Sequence, residues 1–147
     1  MTKMTIWFDM DGNIANLYGV ENWLPMLRAF DATPYLVAKP LLNMSLLARH
    51  LNRLQRKGYR IGIISWCSKT STPQYDADVT AAKLAWLGTH LKSVKFDTIH
   101  IVPYGVPKEN FMATPDDILF DDEEKNRNNW RGTAYDETNI LNVLRTL

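Results

Sequence analysis

The sequence predicts an α/β protein with three layers, in which a mainly parallel five-stranded sheet is flanked by helices. Short apolar runs of strand length alternate along the chain with segments whose apolar residues recur at every third or fourth position. Several of these runs end abruptly at acidic or hydroxyl side chains. Strands that alternate with helices favour a parallel sheet with right-handed crossovers, and polar strand ends are typical of a site at one edge of that sheet.

The first predicted strand, residues 5–8, ends at two carboxylates, Asp9 and Asp11. Alternation along an extended chain directs both side chains to the same side, and Gly12 allows the chain to turn away at once. Burying carboxylates costs several kcal/mol unless they are paired or bind a metal, and oxygen ligands of this kind suit Mg²⁺. The alternative is a polar strand end followed by an ordinary Asp-Gly turn.

The segment 16–40 follows, rich in aromatic residues and interrupted by Pro25, Pro34 and Pro40. Residues 21–30 predict a short helix, and the remainder of the segment is predicted to be irregular. A long connection at this place in the fold is more often functional than a neutral linker.

The remaining elements continue the alternation. Apolar spacing predicts a helix over 41–57 that stops at Gly58, and a buried strand over 59–65 comes next. A helix over 76–91 is predicted to face inward through Val79, Ala82, Trp86 and Leu87. The C-terminal part predicts strands over 98–103, 117–120 and 133–135, a short helical turn over 109–112, and a closing helix over 137–144.

Composition limits the classes of function. A chain of 147 residues, 46% of them hydrophobic, fits one domain over 1–147 with a full core and room only for a small insertion at about 16–40. The formal net charge of +1 argues against strong sequence-independent nucleic-acid binding. The chain has one cysteine, no apolar run of bilayer length and no signal-peptide pattern, which predicts a cytoplasmic protein without a membrane partner.

Ligands of parallel sheets bind beyond the carboxyl ends of the strands, near the place where the strand order reverses. The candidate chemical groups of this chain all fall at such ends or in the loop before one. They are Asp9 and Asp11 after the first strand, Ser65 at the end of the second, Lys108 ahead of the fourth, and Asp121 and Asp122 after it.

This ordered set resembles the four motifs of the haloacid dehalogenase (HAD) superfamily of phosphatases. The first motif, an apolar strand followed by Asp-x-Asp, stands here as Ile6-Trp7-Phe8-Asp9-Met10-Asp11, and the second, a strand that ends in Ser or Thr, as Ile61-Gly62-Ile63-Ile64-Ser65. Lys108 matches the lysine of the third motif, and Ile118-Leu119-Phe120-Asp121-Asp122 matches the acidic fourth. The resemblance covers nearly the whole chain and implies a Rossmann-like, HAD-like fold.

The resemblance also implies a mechanism of phosphate-ester hydrolysis. Asp9 is expected to be the nucleophile that forms an aspartyl-phosphate, and the Asp11 side chain the general acid and then base. The expected ligands of Mg²⁺ are Asp9, the Asp11 backbone carbonyl and Asp122, with Asp121 as a further ligand or support. Ser65, Lys108 and backbone N–H groups near Met10 and Trp66 are expected to hold the phosphate.

Three further residues have expected roles near this site. Asn13 stands where the family usually has Thr or Val, which predicts an altered loop with the chemistry retained. Asn126 is expected to orient Asp122 through its side-chain amide. Lys69, in the polar loop after Ser65, either binds phosphate or is an ordinary loop lysine.

The expected substrate is a small phosphorylated metabolite. Within the superfamily the chain is most similar to the 5′(3′)-deoxyribonucleotidase branch, through Asp-Met-Asp-Gly, the Ser-rich loop and the helix with Trp86, which favours nucleoside (deoxy)monophosphates. Cap insertions set selectivity in this superfamily, and the cap here, about 16–40, is small. Tyr18, Trp23 and Phe30 either stack on a base or pack the cap onto the core.

Three other functions remain open at this point. One is a phosphatase for nucleic-acid ends or sugar phosphates, and another is a catalytically weakened HAD-like binding module, which Asn13 leaves open. The third is a phosphoacceptor signalling domain, but such a domain needs its acceptor Asp after the third strand, whereas Asp97 precedes that strand.

Overall fold

The computed structural model describes residues 3–147, so Met1 and Thr2, the first two residues of the predicted domain, lie outside the described residues. The strands are β1 (Thr5–Phe8), β2 (Ala15–Asn16), β3 (Lys39–Pro40), β4 (Arg60–Trp66), β5 (Thr98–Val102), β6 (Ile118–Phe120) and β7 (Thr133–Tyr135). The α-helices are α1 (Trp23–Arg28), α2 (Thr33–Val37), α3 (Met44–Arg56), α4 (Pro73–His90), α5 (Glu124–Asn129) and α6 (Ile140–Thr146), with 3-10 turns at Leu17–Gly19, Lys108–Phe111 and Glu137–Asn139. No helix within 3–147 combines the length and the apolar character needed to cross a membrane.

Five strands form a parallel sheet in the order β5-β4-β1-β6-β7. The chain adds β4 and β5 on one side of β1 and then returns to add β6 and β7 on the other, so the strand order reverses at β1. The α/β fold and the five-stranded sheet predicted from the sequence are confirmed. Each predicted strand agrees with an observed one to within one residue at either end.

One face of the sheet carries the main apolar core. Ile6 and Phe8 of β1 are buried there against Leu51 of α3 and Leu144 of α6, all at 1% exposure or less. Burying such a side chain contributes roughly 1.5–3 kcal/mol, so this layer supplies most of the free energy that holds the sheet in place.

Smaller elements cover the opposite face. Trp7 of β1 packs there with Ile64 and Leu119 against Trp130, the residue that follows α5. Gly62 on β4 lies directly beside the Trp7 ring, and a Cβ at this position would collide with the indole. Ile6 and Phe8 point to one face of the sheet and Trp7 to the other, as expected for a strand that is buried on both faces.

The segment 16–40 folds back on itself next to the carboxyl end of β1. Its two ends pair as the short antiparallel strands β2 and β3, and α1 and α2 lie between them. Tyr35 of α2 and Leu27 of α1 are buried against Tyr75 and Val79 of α4. The predicted helix over 21–30 is present as α1, but the prediction that the rest is irregular is wrong for Thr33–Val37.

Proline explains this error and a second one. Pro34 lies in the first turn of α2 and Pro73 in the first turn of α4, which therefore begins three residues before the predicted start at 76. Proline is a poor residue inside a helix but a good one in its first turn, where the missing N–H has no intrahelical partner. Thr72 caps α4 by accepting a hydrogen bond from the backbone N–H of Tyr75 at 3.1 Å.

The buried carboxylate of Asp117 joins β1, β6 and the loop before β6. It accepts hydrogen bonds from the backbone N–H of Thr5 (2.9 Å), the indole N–H of Trp7 (3.0 Å), the backbone N–H of Ala113 (2.7 Å) and the hydroxyl of Thr114 (2.7 Å). Burial acts to raise the pKa of Asp117, but these donors outweigh it, so the pKa lies below its ordinary value.

We expect Asp117→Ala to lower the free energy of unfolding by about 2–4 kcal/mol, because four donors lose a charged acceptor inside the fold. Urea unfolding at neutral pH measures this, with the exposed neighbour Asp116→Ala as the matched control, expected to change stability by less than about 0.5 kcal/mol. The folded pKa is depressed, so the stabilisation is present above the unfolded pKa of about 3.9 and is lost as pH falls through the folded pKa. Equal unfolding curves for the two variants would contradict this role.

Candidate active site

A cleft of about 360 Å³ opens at the carboxyl ends of the parallel strands, where the strand order reverses. Asp9, Asp11, Trp66, Lys69, Lys108 and Asn126 are among the residues that line it. The structure thus brings together residues from β1, β4 and the loops on either side of β6, as the strand-end pattern predicts.

Three carboxylates meet next to this cleft, and Asp9 is the one that lines it. Asp9, Asp121 and Asp122 each place an oxygen within 4.8 Å of the others. Asp9 is only 8% exposed and Asp121 is fully buried. Burial, followed by the negative charge of Asp9, raises the pKa of both Asp121 and Asp122 above its ordinary value. Carboxylates this close repel one another unless a cation lies near them.

Gly12 permits the close approach of the first loop to Asp122. Its φ of +74° lies in the left-handed region, and a Cβ at this position would collide with the Asp122 carboxylate. The turn after Asp11 therefore needs glycine for two reasons, its backbone conformation and the acidic side chain packed against it.

Lys108 is the cation that the structure places among these acids. Its Nζ lies 2.9 Å from Asp9 Oδ1 and 2.7 Å from Asp121 Oδ2, and the residue is 2% exposed. Burial acts to lower the pKa of Lys108, but the charges of Asp9 and Asp121 outweigh it and raise the pKa above its ordinary value. The ring of Trp66 lies 5.2 Å from the ammonium and covers one side of it.

Asn126 contacts a different acid from the one predicted. Its side-chain Nδ2 donates to Asp121 Oδ2 at 3.1 Å, whereas the sequence interpretation assigned it to Asp122. Asp121 also accepts from Lys108 and from the backbone N–H of Glu123 at 2.9 Å, so both of its oxygens are engaged. The helical turn after Asp121 brings Asn126 back over that residue, and sequence spacing alone did not distinguish the two adjacent acids.

Asp122 is left with an open oxygen. Its Oδ1 is buried and has no hydrogen-bond partner among residues 3–147. A buried carboxylate oxygen without a partner is unfavourable, and a bound cation removes the penalty. Of the two adjacent acids, Asp122 is therefore the one with an oxygen free to hold a cation, whereas both oxygens of Asp121 already accept hydrogen bonds.

Asn13 is fully buried behind the first loop. Its Nδ2 donates to the backbone carbonyl of Asp9 at 2.8 Å, while its Oδ1 has no partner within the described part of the chain. The asparagine thus fixes the loop that carries Asp9 and Asp11.

A second buried lysine, Lys83 of α4, was missed by the sequence reasoning. Its Nζ lies 2.9 Å from Asp11 Oδ2, 2.6 Å from Ser65 Oγ and 2.7 Å from the Trp66 carbonyl. A signal was present, because Lys83 follows Val79 by four residues on the inward face of the helix. A lysine at an apolar helical position predicts a buried partner, but not which one.

The pKa of Asp11 is set by opposing effects. Burial raises the pKa of this carboxyl, and the neighbouring charge of Lys83 lowers it; the net direction is upward.

Aromatic side chains form the walls of the cleft. Tyr18 and Trp23 lie on the side of the 16–40 segment, in an edge-to-face contact with ring centroids 5.0 Å apart. Trp66 and Tyr104 form a second pair, with ring centroids 4.9 Å apart, and Tyr104 was not among the residues that the sequence predicts at the site. Phe30 lies outside this cleft; it packs on Tyr75 and lines a separate surface groove.

The charges of the site fit a divalent cation. Asp9, Asp11, Asp121 and Asp122, counted as ionised, carry four negative charges. Within residues 3–147 the ammonium groups that form ion pairs with them are those of Lys83 and Lys108, and subtracting these two leaves two negative charges. All the side-chain atoms available to a cation here are carboxylate oxygens, the ligands that Mg²⁺ prefers. The buried Asp122 oxygen without a hydrogen-bond partner also favours a bound cation.

Two alternative sites do not have the required surroundings. Asp97 accepts a hydrogen bond from the backbone N–H of Ile61 at 2.8 Å, near the amino end of β4 and away from the cleft, so it is not placed as a phosphoacceptor. Cys67 borders the cleft, but its Sγ faces the backbone carbonyl of Asp76 and the hydroxyl of Thr80, and burial raises the pKa of the thiol. Neither neighbour is a base that activates a nucleophile.

Comparison with known proteins supports the fold. No protein-family model matches the chain, and no curated protein matches it in sequence. A chain from a structure of a Pnkp1/Rnl/Hen1 complex aligns with a TM-score of 0.56 and 15% identity over 90% of this chain; the alignment covers 45% of that chain, less than half its length. The D,D-heptose 1,7-bisphosphate phosphatase from Burkholderia thailandensis aligns with a TM-score of 0.52 and 18% identity, over 86% of this chain and 70% of that one. These similarities confirm the predicted HAD-like fold and, at such identities, show the fold alone.

We expect Asp122→Asn to weaken Mg²⁺ binding at least about tenfold, because Asp122 belongs to the cluster of three acids and has a buried oxygen without a hydrogen-bond partner. Isothermal titration with Mg²⁺ measures the affinity, and Asp116→Asn is the matched control on the surface. Without metal, the Asp122→Asn variant is expected to unfold at the same or a higher temperature, because a crowded charge is removed. Unchanged Mg²⁺ affinity would exclude Asp122 as a ligand.

Proposed function

We propose that this chain is a Mg²⁺-dependent phosphomonoesterase that acts through an aspartyl-phosphate on Asp9. The observation that carries the proposal is the convergence of a carboxylate nucleophile, a second carboxylate and a lysine in one cleft. A buried serine hydroxyl and an acidic cation site lie next to them and contact them through Lys83 and Lys108. Each group has a separate task in phosphoryl transfer, and together they satisfy the demands of that reaction.

In this proposal Mg²⁺ is held by Asp9 and Asp122, and when bound it neutralises negative charge on the phosphate and on the attacking carboxylate. Asp9 forms the bond to phosphorus while the bond to the ester oxygen breaks. Asp11, two residues along the loop, gives a proton to the departing oxygen and later takes one from the water that releases inorganic phosphate from Asp9. The net reaction consumes one water and yields an alcohol and phosphate.

Ser65 and Lys108 are proposed to hold the phosphate oxygens. Lys108 is already aligned beside Asp9 at 2.9 Å, so an anion bound to the nucleophile falls within reach of its charge. The Ser65 hydroxyl accepts from Lys83 and keeps its own proton available for donation. Lys69 is exposed at the rim of the cleft, where it is proposed to attract the phosphate without a fixed contact.

The similarity to a heptose bisphosphate phosphatase supports hydrolysis of phosphate esters in this fold, although that protein shares only 18% of its aligned residues with this chain. For the substrate we favour nucleoside monophosphates, because Tyr18 and Trp23 of the segment 16–40 line the cleft together with Tyr104. Stacking on such rings is worth roughly 1–3 kcal/mol per base. In this proposal the segment 16–40 acts as a small cap.

The first test is release of phosphate from nucleoside 5′- and 3′-monophosphates, 3′-phosphorylated oligonucleotides, sugar phosphates and an aryl phosphate. We expect release that requires Mg²⁺, is abolished by EDTA, and falls by at least about 10³-fold in Asp9→Asn, because the amide is a poor nucleophile. Asp116→Asn is the control and retains activity. Absence of release from every substrate would favour the binding-module alternative, while turnover of the sugar phosphates or oligonucleotides alone would keep the chemistry and reject the nucleotide assignment.

A second test concerns recognition of the base. Tyr18→Ala is expected to raise KM for nucleoside monophosphates by about 5- to 100-fold, the loss of one stacking contact, with little change in kcat. For a sugar phosphate without a base, KM should stay within about twofold. Phe30→Ala is the matched control, since Phe30 is similarly exposed but lies outside the cleft. If both substrates are affected equally, Tyr18 packs the cap and does not contact a base.

A further inference from the structure

We propose that Lys83 is a positioning residue that holds Asp11 in a single arrangement for proton transfer. The proposal rests on the phosphatase function proposed above and deepens it. Lys83 lies on α4, outside the four sequence motifs, and its buried side chain contacts Asp11 and Ser65 of the site.

The ammonium of Lys83 is fully occupied. Its three N–H groups have three acceptors, which are Asp11 Oδ2, Ser65 Oγ and the Trp66 carbonyl, all within 2.9 Å. One acceptor belongs to the loop after β1 and the other two to the end of β4. A single cation therefore joins the ends of two neighbouring strands that carry proposed catalytic groups.

The surroundings of Lys83 argue against a role in stability alone. The residue is 1% exposed, the ring of Tyr35 lies 5.0 Å from its Nζ, and Val79 and Trp86 of the same helix are fully buried. Replacement of a buried ion pair by apolar groups is often neutral or stabilising, because desolvation offsets the attraction between the charges. Lys83 and Asp11 are both present, and an apolar side chain on α4 alone would leave Asp11 Oδ2 without its charged donor, so we explain the charge of Lys83 by what it does to Asp11.

These hydrogen bonds determine which atoms remain free. Asp11 Oδ2 is occupied by Lys83, and Oδ1 makes no hydrogen bond to any residue of 3–147, so Oδ1 is the oxygen available to exchange a proton with the leaving group. Ser65 Oγ accepts from Lys83, which directs its single hydroxyl proton away from the lysine and leaves it available to a phosphate oxygen.

The two buried lysines therefore have different tasks. Lys108 contacts Asp9 and Asp121, the nucleophile and the support of the cation site. Lys83 contacts Asp11, the proposed acid and base, and does not contact the nucleophile. Loss of Lys83 should accordingly damage proton transfer more than attack on phosphorus.

The experiment compares kcat/KM of Lys83→Met and the wild type on two Mg²⁺-supported substrates, an alkyl phosphate and an aryl phosphate. An alkoxide leaves poorly without a proton, whereas an aryloxide leaves readily without one. We expect kcat/KM to fall by about 30- to 300-fold for the alkyl ester and by less than about fivefold for the aryl ester. Lys92→Met, an exposed lysine just beyond α4, is the matched control and leaves both values unchanged.

A double-mutant cycle tests the route through Asp11. In the Asp11→Asn background, addition of Lys83→Met is expected to change alkyl phosphate hydrolysis by less than about twofold, because the group that Lys83 positions is already lost. Thermal unfolding is recorded for every variant. Should Lys83→Met fail to fold, Lys83→Gln is the substitute. Its neutral amide has two N–H groups for the three acceptors, so the same larger loss on the alkyl ester is expected. The double variant contains no unpaired carboxylate at residue 11.

The outcomes separate the two proposals. An inactive wild type on both esters means that the proposed function has failed. An active wild type with equal loss on both esters in Lys83→Met overturns the positioning role and makes Lys83 a structural residue. A further large loss in the Asp11→Asn background also overturns it, because Lys83 would then act through another group.

Discussion

The crowding of four carboxylates at the ends of two parallel strands is the constraint on which the rest of this structure depends. Asp9, Asp11, Asp121 and Asp122 lie too close together to be stable in a buried site without positive charge. Two buried lysines supply part of that charge, and the negative charge that remains is the physical reason to expect a divalent cation. The loop glycine, the lysines and the amide of Asn126 are all arranged around this excess of negative charge.

The parallel sheet converts that crowding into a fixed geometry. β1 lies at the point where the strand order reverses, so the loops after β1 and β6 meet with no intervening strand. Asp117 joins the start of β6 to β1 through two hydrogen bonds and to the loop before β6 through two more, while Asn13 holds the loop behind Asp9. The acids directly follow strands that are anchored in this way, so the sheet holds them close together despite their mutual repulsion.

The walls of the cleft are less constrained than the acids and lysines of the site. Tyr18 and Tyr104 are each about half exposed, at 50% and 46%, and they belong to connections between strands and helices rather than to the sheet. In the proposed function, the acids and lysines set the class of chemistry, and these aromatic side chains select the ester. The proposed substrate is therefore the less constrained part of that proposal, because the same aromatic side chains also pack the segment 16–40.

The sequence alone determined the five strands, the parallel sheet and the grouping of Asp9, Asp11, Lys108 and the two acids after β6, because hydrophobic period and strand-end polarity are local properties. The tertiary structure alone decided which partner each group has. Lys83 is distant from Asp11 along the chain yet bonded to it, Asn126 contacts Asp121 instead of Asp122, and Phe30 points away from the cleft. Such pairings depend on how α4, α5 and the 16–40 segment dock on the sheet, and docking is set by packing across the whole core, which no local pattern records.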